Sequence, residues 1–378
     1  MKIGIDISQI VYKGTGVAVY TRSLVESLLK IDNDDQFVLF GSSLRNRGLL
    51  KEFTKGLSAK NQKRRFSILP PKLLEFLWNG IHIFPIEGFV GKIDVFHSSD
   101  WLEPPVSLAR KVTTIHDLAV FKYPETFFPR GGHDIVSNQK RKLHFVKQDE
   151  DFIIAVSENT KKDIIETLKI PEKRIKVIYE AADPVYFPRE ENEIANIKKK
   201  FGMVGDYILC VGTREPRKNL ERVITAFAEI SKANENLSLV IVGKYGWGDE
   251  KLKVKSEKLK VRILGFVEKE DLAGLYSGAL AFAYPSLYEG FGLPILEAMS
   301  CKCPVITSNL GSMKEIAGHS ALLVDPESVS EIAGAISQII RNQKSRNELI
   351  EEGEKRAKEF SWEKTALQTL NLYKSLLE

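Results

Sequence analysis

The sequence lacks the features that stabilise secreted or membrane-spanning proteins. It has only three cysteines in 378 residues, and no apolar run approaches the roughly 18 residues of a transmembrane helix. Cys210 lies in an apolar strand pattern, and Cys301 and Cys303 have no second Cys/His pair at metal-ligand spacing. The amino-terminal residues read as a strand containing Asp6 rather than as a signal peptide. We therefore expect a cytoplasmic protein with neither a disulfide framework nor a metal site.

The sequence also lacks a strong charge bias. Its net charge of +5 lies wholly in residues 1–190, with dense spots at Lys63–Arg65 and Lys140–Lys142. These clusters indicate either solvated faces, an anionic acceptor or an acidic membrane surface. Residues 72–91 are apolar and contain a tryptophan, which is consistent with a membrane-contacting helix at the inner face of the membrane or with a core helix. Nucleic-acid binding is disfavoured because the charge is diffuse and no recognition module is evident.

Strand and helix patterns alternate along the whole chain, which predicts an α/β fold with parallel sheets. The length favours two domains. The proline-bearing segment Ala181–Pro188 interrupts the alternation, so we place the boundary there. We expect doubly wound domains at 1–188 and 189–360, with a ligand cleft at the carboxyl ends of their strands.

One stretch, Tyr284–Glu297, is the most informative in the sequence. A buried strand is followed by a glycine turn and then by Pro294, which favours the first turn of a helix. The backbone N–H groups of such a helix start can bind an anion. Glu289 and Glu297, the latter expected within the first helical turn, could hydrogen-bond the hydroxyls of a sugar or ribose. The alternative is a tight turn with a capped helix.

Three further loops follow predicted strands. Residues 211–219 carry Arg214, Arg217 and Lys218, which suit a diphosphate or, alternatively, a basic helix cap. His116 and Asp117 directly follow the strand at Val112–Ile115. The Gly14-Thr15-Gly16 loop opens a helix but is not a dinucleotide fingerprint, because Val19 stands in place of the third glycine. The acidic triplet at 149–151 precedes a strand, so we interpret it as solvated helix-end charge.

Together these motifs resemble the retaining glycosyltransferases of the GT-B fold, glycosyltransferase family four (group 1), over nearly the whole chain. By resemblance, Glu289 contacts the donor sugar and Glu297 the nucleotide ribose. The other donor-binding positions that the resemblance implies are Gly16, Arg217, Lys218, Phe291, Gly292 and Leu293. Thr213 stands where the family most often has arginine, so Arg217 and Lys218 take the diphosphate role, with Arg214 as a possible substitute.

The resemblance also implies roles in the first domain. His116 would lie near the donor sugar, where a neutral imidazole suffices, and the acceptor side would include Gly14, Thr15 and Asp117. In this family the final helix, 361–378, packs back onto the first domain.

The resemblance implies transfer of a hexose from a nucleoside-diphosphate sugar to an acceptor hydroxyl, with no cofactor and no metal. Residues Thr113–Pro129 resemble mannosyltransferases of bacterial surface polysaccharide, which favours GDP-mannose over a UDP- or ADP-sugar. The acceptor would be a saccharide or lipid-linked saccharide. Two alternatives stay open: a nucleotide-sugar-binding relative without transferase activity, and a nucleotide-sugar epimerase on the same scaffold. A phosphorylase is disfavoured because no pyridoxal-bearing lysine motif is present.

Overall fold

The structure is a computed structural model that describes residues 1–127, 132–246 and 259–378. The end of the Thr113–Pro129 segment therefore lies outside the described residues. The chain divides into two compact units. The first is built from residues 1–124, the described part of 131–180 and the carboxyl-terminal residues 361–378, and the second is built mainly from residues 181–360.

The first unit contains a parallel sheet of seven strands in the order β3-β2-β1-β4-β5-β6-β7. The strands are β1 (Lys2–Asp6), β2 (Gln36–Ser42), β3 (Gln62–Ser67), β4 (Val95–Ser98), β5 (Arg110–Ile115), β6 (Phe152–Ala155) and β7 (Ile175–Val177). The helices are α1 (Gly16–Ile31), α2 (Arg47–Gly56), α3 (Pro71–Glu75), α4 (Glu87–Val90), α5 (Ala119–Lys122), α6 (Gly132–Gln148) and α7 (Glu158–Asp163). Strand order reverses between β1 and β4, the position at which doubly wound sheets bind ligands.

The second unit contains a parallel sheet of six strands in the order β10-β9-β8-β11-β12-β13. The strands are β8 (Asp206–Val211), β9 (Leu237–Val242), β10 (Val261–Gly265), β11 (Ala281–Tyr284), β12 (Val305–Ser308) and β13 (Leu322–Val324). The helices are α8 (Glu191–Lys200), α9 (Leu220–Ser231), α10 (Lys269–Ser277), α11 (Leu293–Ser300), α12 (Gly311–Ala317), α13 (Val329–Arg341) and α14 (Gln343–Ala357). The predicted α/β class with two doubly wound parallel sheets is confirmed.

The last helix, α15 (Trp362–Ser375), belongs to the first unit, although it follows the second in sequence. It packs against α1, where the Trp362 ring contacts Tyr20 edge-on at a centroid distance of 5.9 Å. The Tyr373 hydroxyl lies 2.6 Å from Nδ1 of the buried His97. The two ends of the chain thus complete one core.

The structure adds a strand that the sequence patterns did not predict, and it corrects the interpretation of the apolar segment 72–91. Lys63–Arg65 lies on β3, an exposed edge strand that the apolar pattern did not predict. Residues 72–91 form neither a single membrane-contacting helix nor a single core helix. They comprise part of α3, a π-helical turn at Phe76–Gly80, and α4. Trp78 is fully buried here, whereas Phe76 and Phe84 are exposed.

The interpretation of the acidic triplet at 149–151 as solvated charge is wrong for Asp151, whereas Asp149 and Glu150 are exposed residues. Asp151 is buried, and its Oδ2 lies 3.3 Å from the ammonium of Lys111, which is also buried. The same ammonium lies 2.7 Å from Asp149 and 3.2 Å from the fully buried Glu103. Burial, followed by repulsion from Glu103, raises the pKa of Asp151 above its usual range. The triplet therefore supplies part of a buried ion cluster.

Candidate active site

The residues that the sequence singles out fall into two groups, one in each unit. In the second unit, the carboxylate of Glu289 joins the two cations of the 211–219 loop. Arg217 Nη1 donates to Oε2 of Glu289 at 2.7 Å, and Lys218 Nζ donates to Oε1 at 2.7 Å. Burial disfavours the charged carboxylate, but the charges of Arg217 and then Lys218 outweigh it and hold the pKa of Glu289 down at about 2. Glu289 is therefore ionised throughout the physiological range.

The backbone brings these three side chains together from two loops that follow neighbouring strands. Arg217 and Lys218 form a short 3₁₀ turn after β8, and Asn219 ends that turn with a positive φ of 60°. The Asn219 side chain donates to the carbonyl of Pro285, and Leu287 N–H donates to the carbonyl of Arg217 at 2.9 Å. Because β8 and β11 are adjacent in the sheet, these bonds tie the two loops at one edge.

A second contact fixes Lys218. Its ammonium donates to the hydroxyl of Tyr284 at 2.8 Å, at the carboxyl end of β11. The Ser312 hydroxyl donates to the carbonyl of Glu289 at 2.7 Å and so fixes the backbone at the carboxylate. Tyr284 and Ser312 were not singled out from the sequence. Tyr284 had a signal, because it is a polar aromatic residue at the end of an otherwise apolar strand.

Helix α11 begins directly after this cluster. Gly292 is its N-cap and has a φ of 104°, which residues with a Cβ rarely adopt, and Pro294 occupies the first turn as predicted. The side chains of Phe291 and Leu293 are buried, so a ligand would meet this segment mainly through its backbone. Glu297 lies in the second turn of the helix and not in the first.

Glu297 differs sharply from Glu289 in its surroundings. Tyr276 O–H donates to its Oε2 at 3.1 Å, and Tyr186 also lies beside it. Burial raises the pKa of Glu297 to about 7, because the tyrosine hydrogen bonds and the charge of Lys269 compensate only part of the lost hydration. Unlike Glu289, Glu297 therefore exchanges a proton near neutrality.

Arg214 lies apart from the Glu289 cluster. It is buried, and its Nε lies 3.4 Å from the carbonyl of Lys244, whose neighbour Tyr245 faces the guanidinium at 5.3 Å. Among the three cations of this loop, the structure brings Arg217 and Lys218 to Glu289.

In the first unit, His116 lies at the carboxyl end of β5 and pairs with a glutamate that the sequence gave no reason to select. Its Nδ1 lies 2.9 Å from Oε1 of the buried Glu180. Burial disfavours the imidazolium, but the hydrogen bond and charge of Glu180 outweigh it and raise the pKa of His116. The pairing with Glu180 therefore favours the charged form of the imidazole, whereas the role implied by the resemblance needs only the neutral form.

The remaining predicted residues of the first unit are engaged in helix capping. Thr15 caps α1, where its hydroxyl accepts from Ala18 N–H at 3.3 Å, and Gly14 precedes it with a φ of 79°. Gly16 is the first residue of α1. Asp117 accepts a hydrogen bond from Ala119 N–H at 2.8 Å, at the start of α5. Capping does not prevent these residues from contacting a ligand.

A further acid, Asp6, was not assigned a role from the sequence. It ends β1, is buried, and accepts hydrogen bonds from the backbone and hydroxyl of Ser8. A cavity of about 20 Å³, enough for one water molecule, is lined by Asp6, His97 and His116 among others. Burial raises the pKa of Asp6. An acid at the carboxyl end of an apolar strand was the signal available in the sequence.

Within the described ranges, no group of three or more histidine, cysteine or acidic side chains is placed to hold a metal ion. Within the same ranges, none of the helices has the length and hydropathy that crossing a bilayer requires.

Comparison with known proteins identifies both halves of the chain. Residues 191–356 match the model of the glycosyl transferases group 1, and residues 14–185 match that of glycosyltransferase family 4. The chain is 33% identical to the O-antigen chain mannosyltransferase B of Escherichia coli over 388 aligned residues, which cover all of both chains. It is 30% identical to the O-antigen chain mannosyltransferase RfbU of Salmonella typhimurium, over 61% of each chain.

The fold is also shared with a solved structure. Anabaena HepE, in complex with UDP and glucose, superposes with a TM-score of 0.73 at 17% identity, covering 99% of this chain and all of that chain.

Proposed function

The chain belongs to the group 1 glycosyltransferases, and from this premise we propose that it transfers mannose from GDP-mannose to a hydroxyl of a saccharide or lipid-linked saccharide acceptor, with retention of anomeric configuration. That it is a glycosyltransferase rests on the family and on its full-length relative. The donor, the sugar and the acceptor are the proposal. We assign the nucleotide sugar to the second unit, 189–360, and the acceptor to the first, 1–188 with 361–378.

The observation that carries the proposal is the ionised Glu289 held between Arg217 and Lys218. Two cations, Arg217 and Lys218, share the carboxylate of Glu289 beside the start of α11, and Arg217 also pairs with Glu215 at 3.3 Å. A departing diphosphate develops negative charge, which these cations and the backbone N–H groups of the helix start would stabilise. The positive charge that this step needs is supplied by side chains, and the proposal includes no metal and no cofactor.

The carboxylates have separate roles in this proposal. Glu289 accepts hydrogen bonds from the hydroxyls of the transferred sugar, and Glu297 accepts them from the ribose. Phe291, Gly292 and Leu293 contact the donor through their backbone. In the first unit, His116 binds the transferred sugar, with Gly16 at the donor phosphate and with Gly14, Thr15 and Asp117 on the acceptor side.

The choice of mannose is supported by the relatives. Two of them, one full-length, are named O-antigen chain mannosyltransferases, so the acceptor we propose is a growing surface polysaccharide. A UDP- or ADP-sugar is the competing donor, and the structural neighbour from Anabaena is a complex with UDP and glucose.

We also propose that the protein acts at the inner face of the cytoplasmic membrane, where a lipid-linked acceptor would lie. The first unit exposes the basic edge strand β3, and the segment that follows it in sequence exposes Phe76, Ile81 and Phe84. Cations with neighbouring apolar side chains suit an anionic lipid surface.

The test is a donor panel of GDP-mannose, UDP-glucose and ADP-glucose, with release of free nucleotide and the shift of the melting temperature as readouts. We expect GDP-mannose to give the largest shift and the fastest release. Lys218→Gln should lower kcat by roughly 10²–10³, as for the loss of one group that stabilises developing charge. Lys232→Gln, which removes an exposed lysine elsewhere in the second unit, is the matched control.

The outcomes separate the parts of the proposal. Release from UDP-glucose or ADP-glucose alone would replace the donor but keep the reaction. If no nucleotide sugar shifts the melting temperature at millimolar concentration, or if both lysine variants behave alike, the assigned site is wrong.

A further inference from the structure

A second basic site lies in the first unit, at the edge of the sheet opposite to His116. An open cavity of about 360 Å³ is formed at the amino-terminal ends of β5, β6 and β7 and at the end of α15. Arg110 begins β5 and His116 follows its last residue, so the cavity lies about 17 Å or more from His116 along that strand. The cavity is therefore separate from the candidate active-site residues of this unit.

Four cations and no acid line this cavity within the described part of the chain. Arg110, Lys173 and Lys176 are exposed, and the described residues offer no salt bridge to any of them. The fourth, Arg174, already makes hydrogen bonds within the protein: its Nε and Nη2 both donate to the carbonyl of Asp151, at 2.9 and 2.7 Å. Arg174 thus has a fixed position in the lining of the cavity and contributes a positive charge to it. The side chains of the other three cations can bind a ligand.

The nearest carboxylates are those of the triplet at 149–151, whose charges act on Arg174. Asp149 and Asp151 lie just before β6 but pair with the ammonium of Lys111. The exposed Glu150 is the remaining acid of that triplet and is not among the residues that line the cavity. The cations consequently repel one another across open space, and a multiply charged anion would relieve that repulsion.

The floor of the cavity is apolar. Phe152 and Ile175 come from the strands, Leu372 comes from α15, and Leu376 is the C-cap of that helix. A volume of about 360 Å³ is near the lower end of small-molecule sites, which are roughly 300–1,000 Å³. A phosphate group attached to a body of about sugar size matches both the charge and the space, whereas a nucleotide sugar is too large.

We propose that this cavity is a second binding site, which takes a phosphate ester through Arg110, Lys173 and Lys176. The ester is either a soluble sugar phosphate or the headgroup of an anionic lipid, because both present the same phosphate with an adjoining uncharged body. The site is distinct from the donor site of the proposed function, and neither depends on the other.

The alternative is that these cations only stabilise the carboxyl end of α15, where helix carbonyls accumulate negative potential. That role predicts an effect on stability but no saturable ligand response. The two explanations therefore differ in a measurable way.

The experiment uses the whole protein with its donor site filled by saturating GDP and UDP. Isothermal titration with inorganic phosphate and with glucose 6-phosphate tests the soluble source. Flotation with phosphatidylcholine vesicles, with and without phosphatidylglycerol, tests the lipid source. All proteins in this arm carry Lys63→Gln/Arg64→Gln/Arg65→Gln, so that the basic edge strand β3 does not bind the vesicles. The variant Arg110→Gln/Lys173→Gln/Lys176→Gln is compared with a control of equal charge change on exposed residues of the same unit, Lys30→Gln/Arg45→Gln/Lys51→Gln.

We expect wild type and control to bind one class of probe saturably, and the cavity variant to bind at least about tenfold more weakly because it loses three charge-assisted contacts. A soluble response identifies a sugar phosphate, and a vesicle-only response identifies a lipid headgroup. If the triple variant fails to fold, Lys176→Gln alone is the substitute. Wild type that binds neither probe, or a cavity variant that binds like the control, overturns the proposal.

Discussion

The opposite titration of the two motif glutamates leads to an unusual prediction: Glu297→Gln should stabilise the ligand-free protein at alkaline pH. Burial raises the pKa of Glu297 from 4.5 to about 7. In the folded protein this carboxyl therefore holds its proton at pH values where the unfolded chain has released it. The contribution of Glu297 to the unfolding free energy is therefore largest below about pH 4.5. It is lost as the pH rises through about 7, because the buried carboxylate then ionises without its full hydration.

The size of the effect follows from the shift. A change of one pKa unit corresponds to about 1.4 kcal/mol, so the ionised carboxylate costs about 3 kcal/mol at pH values above 7. Glutamine has nearly the same shape, can accept the hydrogen bond from Tyr276, and does not ionise. The variant should thus exceed wild type by up to about 3 kcal/mol at about pH 8, and by little at about pH 5.

The assay is denaturant unfolding followed by circular dichroism at about pH 5 and about pH 8. Glu351→Gln, on the exposed face of α14, is the matched control. Its unfolding free energy should differ from that of wild type by the same amount at both pH values. A variant that is less stable than wild type at the higher pH, or equally shifted at both, refutes the reasoning. The functional counterpart is GDP affinity, which should rise with pH through about 7 in wild type and stay flat in the variant, if ribose hydroxyls donate to the ionised carboxylate.

Three further results are expected. Glu289→Gln should lower the unfolding free energy by about 3 kcal/mol near neutrality and should reduce donor turnover. The stabilisation that it removes is present above about pH 4.5 and is lost as the pH falls through about 2. Denaturant titrations and nucleotide release at several pH values measure the two effects. Lys111→Met should cost about 3–5 kcal/mol by chemical denaturation, because it leaves two buried carboxylates, Glu103 and Asp151, without their shared cation. Gly292→Ala should cost about 1–2 kcal/mol, because its φ of 104° disfavours a Cβ, and should raise the KM for the donor; unchanged kinetics would argue against a backbone contact there.

Most of the fold could be predicted from the sequence because its strands are buried on both faces. Runs such as Ile208–Val211 and Leu239–Val242 are continuously apolar, which is typical of central strands in parallel sheets. The exception, β3, is an edge strand with the sequence Gln-Lys-Arg-Arg-Phe-Ser and has exposed cations. Its charges protect an open edge from pairing with another chain, and for the same reason they obscure the strand in the sequence.

The acidic triplet at 149–151 shows a different limit. Its spacing and local polarity resemble those of any helix end, and three carboxylates in a row favour solvent. The burial of Asp151 depends on Lys111, which lies 40 positions earlier on β5, the strand that pairs with β6. The sign available in the sequence was Lys111 itself, a cation at the start of a strand that is buried from Lys111 to Ile115.

In the candidate site, too, features set by local sequence could be predicted, whereas features set by residues distant in sequence could not. Positions were predictable, because parallel strands end at one edge and the loops that follow them meet there. Protonation was not, because it depends on residues distant in sequence. His116 owes its raised pKa to Glu180, 64 positions later, and Glu289 owes its low pKa to cations some 70 positions earlier. Two glutamates eight positions apart in one motif therefore have pKa values of about 2 and about 7. Because their charges differ near neutrality, the two carboxylates respond differently to pH and are chemically distinct before any donor binds.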